Sequence, residues 1–152
     1  LDVAYQKTFA MLQPGALHRR IVGEIVSRIE RKGLKIVSMK LMQVPRDLCR
    51  EHYAEHKGKP FYDDLVSYVT SAPVVAMVVA GEDAIPMLRL LSGATKVDQA
   101  TPGTIRGDFA LATTKNIIHA SDSPESAERE ISLWFNDDEI VEWDDPNKGW
   151  FV

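Results

Sequence analysis

One histidine, set between an apolar dipeptide and a run of small polar residues, carries the strongest chemical signal in the chain. It is His119, in the stretch 116–123 that reads Asn-Ile-Ile-His-Ala-Ser-Asp-Ser. Upstream, residues 102–109 read Pro-Gly-Thr-Ile-Arg-Gly-Asp-Phe and bring Arg106 into the same region, with glycines that suit tight turns. Imidazole can act as a nucleophile, and a guanidinium group is well shaped to hold phosphate through paired hydrogen bonds. Together the two segments predict phosphoryl chemistry at His119.

The elements that must position these residues alternate between strand and helix patterns. Strands are predicted over 7–12, 34–44, 74–79 and 109–113, and helices from Ile21 to a stop at Gly33 and over 45–56, 61–70, 83–91 and 123–135. The third strand is a continuous apolar run, which is typical of a central strand covered on both faces. Residues 92–107 predict a long loop, and long loops in compact domains are usually functional. The pattern indicates an α/β or α+β sandwich and leaves a doubly wound parallel sheet open.

Composition favours one ordinary globular domain, 1–152, with 136–152 as a C-terminal tail. The hydrophobic fraction of 45% is sufficient for a real core. The net charge of −4 disfavours nucleic-acid binding and anionic membrane surfaces. The longest apolar run is too short to cross a bilayer, and a single cysteine, Cys49, allows no intrachain disulfide. Residues 1–5 lack the features of a signal peptide, and the predicted location is cytoplasmic.

Several short motifs, taken in order, resemble the nucleoside diphosphate kinase family over nearly the whole chain. Besides the segments around Arg106 and His119, they are Thr8-Phe9, 22–25, Glu51-His52-Tyr53, Lys59-Pro60-Phe61, 73–78, Ser126-Ala127-Glu128 and Leu133-Trp134-Phe135. The resemblance implies a ferredoxin-like βαββαβ core with an antiparallel four-stranded sheet and covering helices. It also implies a ping-pong cycle with broad base specificity, in which a nucleoside triphosphate phosphorylates His119 and a nucleoside diphosphate then takes the phosphate.

The same resemblance implies the roles of individual residues. His119 is the nucleophile, and Ser121 and Glu130 orient its imidazole. The nucleotide-binding set comprises Arg89, Thr95 and Arg106 on the phosphates, Asn116 on sugar and phosphate, Tyr53 lining the site, Phe61 stacking on the base, Leu65 beside it, and Gln13. Mg²⁺ is expected to bridge the substrate phosphates and to be held largely through water, since no carboxylate cluster suggests a protein cage. By the same resemblance, the C-terminal extension that ends at Val152 favours a homohexamer over a tetramer.

The chain departs from the family pattern in the loop that follows the first strand. The family reads Lys-Pro-Asp-Gly there, and residues 13–16 read Gln-Pro-Gly-Ala. Replacing a charged phosphate contact by the neutral amide of Gln13 predicts transfer slowed by about 30- to 1000-fold. Ala120, in place of a usual glycine, is expected to add a methyl group beside the nucleophile. The alternative function is therefore a weakened nucleotide-binding member that acts as a regulatory or partner-binding subunit.

Overall fold

The structure, a computed structural model that describes residues 4–152, contains four strands, seven α-helices and five short 3₁₀ helices. The strands are β1 (Tyr5–Leu12), β2 (Lys35–Met42), β3 (Val74–Glu82) and β4 (Ile118–Ala120). The helices are α1 (Pro14–His18), α2 (Val22–Arg31), α3 (Arg46–His52), α4 (Tyr62–Val69), α5 (Ala84–Ser92), α6 (Ile105–Phe109) and α7 (Pro124–Trp134). Residues 1–3, part of the stretch searched for a signal peptide, lie outside the described residues. None of the helices between residues 4 and 152 combines the length and apolar character that a membrane span requires.

The strands form one antiparallel sheet in the order β2-β3-β1-β4. β3 lies inside the sheet, and its first seven residues are buried, as a strand without polar alternation must be. β4 pairs with β1 so that His119 lies opposite Met11 and Ala120 lies opposite Ala10. This arrangement confirms the predicted ferredoxin-like fold with an antiparallel sheet, and the parallel alternative is wrong.

Side-chain alternation along the strands divides the core into two layers. On one face, strand residues that include Ala10, Ile118 and Ala120 pack against α2 and α5. On the other face, Phe9 and Met11 pack against residues of α3, α4 and α7. His119 alternates with Ile118 and Ala120, so its ring belongs to the second face. The methyl group of Ala120 therefore packs on the opposite side of the sheet from the His119 ring, and the expectation of a methyl group beside the nucleophile is wrong.

The fourth strand occupies Ile118–Ala120, and the prediction of a strand over 109–113 is wrong. The preceding chain forms α6, whose N-terminus is capped by Thr104: its Oγ1 accepts from the Gly107 N–H at 3.0 Å. Gly107 is required there, because a Cβ would lie 1.9 Å from the carbonyl oxygen of Thr101. A five-residue helix held by one cap and a three-residue strand are both too short to show a period in the sequence.

The C-terminal tail returns along β2. The Val141 N–H donates to the Val37 carbonyl at 2.8 Å, and the Trp143 indole N–H donates to the Ile36 carbonyl at 3.1 Å. Beyond these bonds, Trp150 exposes 84% of its surface and Val152 is also exposed. The tail is thus anchored at its start and presents apolar side chains at its end.

Candidate active site

His119 belongs to a hydrogen-bonded group of side chains from β4 and α7. Its Nε2 lies 2.6 Å from Glu130 Oε1, and the buried Ser121 hydroxyl donates to the same oxygen at 2.8 Å. An ionised carboxylate only accepts hydrogen bonds, so Nε2 carries the ring proton and Nδ1 keeps its lone pair. The His119 side chain retains 24% of its exposure, which leaves it accessible to a ligand, while Glu130 is buried.

The start of α7 explains why Glu130 reaches His119. The Ser123 hydroxyl accepts from the Ser126 N–H at 3.1 Å, and Pro124 takes the first helical position, as the sequence predicts. With that start fixed, Ala127, Glu130 and Trp134 form the buried face of the helix. Glu130 is the polar member of this face, and its two hydrogen-bond partners, His119 and Ser121, lie in β4 and directly after it.

His52 is a close neighbour of His119 that sequence reasoning missed. The two rings are 4.6 Å apart at 82°, and Trp134 Nε1–H donates to His52 Nδ1 at 3.0 Å. Burial lowers the pKa of His52 to about 2, and the positive charge of Arg129 adds to this shift. The His52 ring is therefore neutral, with its proton on Nε2. The available signal was the family-like motif Glu51-His52-Tyr53, of which only the tyrosine was assigned to the site.

Acidification is expected to destabilise the fold through His52. An unfolded histidine takes up a proton below its ordinary pKa of 6.5, whereas folded His52 does so only near 2. Between these values the unfolded state binds the extra proton, so stability falls by about 1.4 kcal/mol for each pH unit of acidification.

Urea unfolding at two pH values measures this effect. From about pH 7.5 to about pH 5, the wild type should lose about 2 kcal/mol more than His52→Gln, whose amide oxygen can still accept from Trp134. Equal losses in the two proteins would show that His52 titrates normally in the folded state.

The Arg106 side chain forms hydrogen bonds with the backbone just before His119. Its Nη2 donates to the Ile118 carbonyl at 2.6 Å, and its Nη1 donates to the Gly93 carbonyl at 2.8 Å. The side chain is only 4% exposed, and burial, together with the charge of Arg89, lowers its pKa to about 10. The guanidinium therefore stays charged at neutral pH. Its buried Nε–H has no hydrogen-bond partner within residues 4–152.

Arg89 provides a second guanidinium on the other side of the histidine. Its Nη1 donates to the Ala120 carbonyl at 3.1 Å, so the two arginines hold the backbone carbonyls immediately before and after His119. Their mutual repulsion contributes to the lowered pKa of Arg106. Two neighbouring positive charges beside an imidazole with a free lone pair form a site suited to an anion with a transferable group.

The loop after β1 is built around the residues that depart from the family pattern. Gln13 is buried; its Nε2 donates to Asn116 Oδ1 at 3.1 Å, and its Oε1 accepts from the Ile117 N–H at 3.0 Å. The Gly15 N–H donates to the Tyr68 hydroxyl at 3.1 Å, and a Cβ at Gly15 would lie 2.7 Å from that oxygen. A side chain at this position would therefore have to displace the Tyr68 hydroxyl.

A series of aromatic rings leads from His119 to the surface. The buried ring of Tyr53 lies 6.5 Å from that of His119, and burial raises the pKa of Tyr53 well above its usual range. Tyr53 stacks on His56 at 6.2 Å, and His56 lies 5.3 Å from Phe61. Phe61 is 44% exposed and offers a flat apolar face at the outer end of the series.

Two predicted site residues are less closely tied to this group. Leu65 is partly buried against the second core layer. Thr95 is exposed in the loop after α5, two residues beyond the glycine that Arg106 holds, and its side chain makes no hydrogen bond within the described residues. The structure therefore joins His119, Ser121 and Glu130 in one hydrogen-bond network and Gln13 and Asn116 in a second, while Arg89 and Arg106 each bind a backbone carbonyl next to His119.

Three possible metal ligands coincide with the histidine network. In the described part of the chain, His52, His119 and Glu130 bring one ligand atom each to within 4.8 Å of one another. Two imidazoles and one carboxylate suit a borderline transition metal, whereas Mg²⁺ prefers oxygen ligands. Glu130 Oε1 is also already bound by His119 and Ser121. This donor set does not fit a magnesium ion.

Comparisons with known proteins agree with this geometry. The family model for nucleoside diphosphate kinase matches residues 6–140. A nucleoside diphosphate kinase of Staphylococcus aureus is 57% identical over 145 residues, which cover 95% of this chain and 97% of that protein. A halophilic nucleoside diphosphate kinase of Halobacterium salinarum in complex with CDP superposes with a TM-score of 0.95 at 48% identity, covering 98% of this chain and 99% of its own. A nucleoside diphosphate kinase family protein of Babesia bovis superposes with a TM-score of 0.93 at 40% identity, covering 97% of this chain and 99% of its own. The chain belongs to the nucleoside diphosphate kinase family.

Proposed function

We propose that this protein transfers the terminal phosphate of a nucleoside triphosphate to a nucleoside diphosphate through a phosphorylated His119. The observation that carries the proposal is the Glu130 carboxylate, which fixes the proton on Nε2 and leaves Nδ1 as the nucleophilic atom. The kinase from Halobacterium salinarum, with CDP bound and 48% identical, supports nucleotides as the substrates. The identity to kinases also favours an active enzyme over a weakened binding subunit.

The transfer consists of two displacements at phosphorus. In the first, the Nδ1 lone pair of His119 attacks the γ-phosphorus, the bond to the β–γ bridging oxygen breaks, and the diphosphate leaves with the electron pair. In the second, a terminal oxygen of the acceptor diphosphate attacks the phosphorus, and the N–P bond electrons return to Nδ1. Phosphate on Nδ1 leaves the proton on Nε2, so Glu130 stabilises the positive charge that develops on the ring.

The surrounding residues bind and orient the nucleotide in this proposal. Arg89 and Arg106 neutralise the charge of the phosphate oxygens, since both guanidinium groups bind the backbone next to His119. Thr95 and Asn116 contact phosphate and sugar, and Gln13 lies beside Asn116. The base stacks on Phe61 next to Leu65, with Tyr53 lining the inner end. Stacking makes few demands on base identity, which favours broad base specificity.

Magnesium enters the proposal as a companion of the substrate. Because the donors beside His119 do not fit it, we propose that Mg²⁺ binds mainly the nucleotide phosphates, where it neutralises charge. We place the enzyme in the cytoplasm, which is supported by its single cysteine, the buried free thiol of Cys49.

Initial-rate kinetics test the proposed function. With ATP varied at several fixed concentrations of GDP, a ping-pong enzyme gives parallel double-reciprocal lines and forms GTP. CDP, UDP and dTDP in place of GDP should also be phosphorylated, if stacking determines base recognition. Intersecting lines would mean direct transfer in a ternary complex, and nucleotide binding without transfer would restore the regulatory alternative.

We further propose a homohexamer whose subunit contacts include the end of the tail. Trp150, Phe151 and Val152 are exposed apolar side chains on a segment anchored to β2. Light scattering should give six times the 17.0 kDa mass of the chain, and removal of residues 144–152 should give smaller assemblies. A truncated protein of unchanged mass would show that the tail does not contribute to assembly.

A further inference from the structure

The chain makes an uncommon turn two residues before His119. Ile117 has a φ of +77°, and the Ile118 N–H donates to the Asn116 carbonyl at 2.9 Å, a bond that closes a γ-turn around Ile117. A positive φ is a genuine outlier for a β-branched residue, and γ-turns of this hand are rare and strained. Such a conformation persists only where the surroundings hold it. The position of the His119 ring depends on this turn, because β4 begins immediately after it.

Gln13 binds both backbone groups of Ile117. Its side-chain Oε1 accepts from the Ile117 N–H at 3.0 Å, and its own backbone N–H donates to the Ile117 carbonyl at 2.9 Å. Its Nε2 donates to Asn116 Oδ1 at 3.1 Å, which ties the preceding residue of the turn. Pro14 restricts Gln13 to an extended backbone, observed at φ −71° and ψ 164°, and the glutamine is only 4% exposed. One residue therefore makes three hydrogen bonds to the turn.

The far side of the turn is held independently. The Ile118 carbonyl accepts from Arg106, and Ile118 pairs with Leu12 in the sheet. Apart from these contacts, the N–H of Ile117 has its partner in Gln13 Oε1 alone, within the described residues, and Ile117 is 2% exposed. A lysine could not replace this acceptor, because an ammonium group carries three donors and no acceptor.

We propose that Gln13 is a positioning residue that holds the Ile117 turn and thereby sets the place of the His119 ring. The inference rests on the proposed role of His119 as the phosphoryl acceptor. It differs from the expectation that Gln13 is only a neutral substitute for a charged phosphate contact. A phosphate contact acts on the nucleotide, through its affinity or through the transition state, and leaves the turn unchanged in the nucleotide-free protein. A positioning residue alters the turn without nucleotide and slows transfer from a bound nucleotide.

The test compares Gln13→Met with Gln13→Lys in three measurements: amide hydrogen exchange at Ile117 in the free protein, the single-turnover rate of phosphoenzyme formation at saturating ATP, and the Kd for nucleotide. Both variants should exchange the Ile117 amide at least about tenfold faster and form phosphoenzyme about 10- to 100-fold more slowly. Gln13→Met should bind nucleotide within about threefold of the wild type, because the methionine keeps the length and neutral charge of the side chain.

Two further variants control the experiment. Gln6→Met removes a matched bond, from the Ile85 N–H to Gln6 Oε1 at 3.1 Å, away from the turn, and should leave phosphoenzyme formation within about twofold. Gln13→Glu retains an acceptor oxygen for Ile117, although it loses the donor to Asn116 Oδ1, and should restore slow exchange at Ile117 even if Gln13→Met folds poorly.

Two results would overturn the inference. If Gln13→Lys formed phosphoenzyme faster than the wild type and the Ile117 amide were still protected from exchange, residue 13 would act through its charge and not by holding the turn. Unchanged exchange at Ile117, combined with weaker nucleotide binding or slower transfer, would assign Gln13 to the phosphate instead. Failure of the proposed function gives a different result. A wild-type protein that forms no phosphoenzyme would remove the role of His119 as phosphoryl acceptor, whereas amide exchange at Ile117 would still show whether Gln13 protects the turn.

Discussion

Replacement of His119 by glutamine is expected to lower the rate of phosphate transfer by at least about 10⁴-fold, because no neighbouring group can replace the nucleophile. His52, the nearest imidazole, is buried, neutral and bonded to Trp134 through Nδ1. Nucleotide affinity should change by less than about threefold, since the arginines and the stacking ring are untouched.

Coupled steady-state kinetics and calorimetry separate these two effects. His18→Gln is a matched control, because this histidine is exposed at the end of α1 and should leave the rate unchanged. A His119→Gln enzyme that keeps more than about a hundredth of wild-type activity would place the nucleophile elsewhere.

Arg106→Met should produce the second largest loss, about 10²- to 10³-fold in kcat/KM, because it removes a positive charge next to the proposed phosphate site. It should also lower the free energy of unfolding by about 2–4 kcal/mol, since the carbonyls of Ile118 and Gly93 lose their buried donor. Arg106→Lys keeps the charge, but its single ammonium group cannot donate to both carbonyls as the planar guanidinium does. Its kcat/KM and its free energy of unfolding should therefore lie between those of the wild type and Arg106→Met.

Urea unfolding and kcat/KM, measured on the same preparations, distinguish the two roles of Arg106. Arg31→Met is the control, because Arg31 is exposed in the last turn of α2. Destabilisation of Arg106→Met without loss of rate would mean that Arg106 stabilises the backbone but does not contribute to phosphate transfer. Loss of rate without destabilisation would mean that its bonds to the two carbonyls contribute little to the fold.

The sequence predicts most of the elements because their signals are local. The apolar run of β3 and the Ser123-Pro124 start of α7 appear in the structure where the pattern indicates them. The antiparallel arrangement was implied by the family resemblance and is confirmed. Periodicity could not distinguish it from a parallel sheet, because both place a buried strand between amphipathic helices.

The contacts that define the site could not be predicted, because they join distant parts of the chain. Gln13 and Asn116 are 103 residues apart, and His52 and Trp134 are 82 apart. The positive φ of Ile117 has no local signal either, since isoleucine is among the residues least suited to it. The loss of the family lysine is visible in the sequence, but the hydrogen bonds that Gln13 makes instead are visible only in the fold.

The most direct test of the central claim is to isolate the phosphoenzyme. Wild-type protein is incubated with γ-labelled ATP and Mg²⁺, kept out of acid, digested for mass spectrometry, and chased in parallel with GDP. The proposed function predicts one label on His119, with the N–P signal of an Nδ1 adduct by ³¹P NMR, and its complete transfer to GTP in the chase. A label on another residue, or a stable label that GDP does not remove, would contradict it.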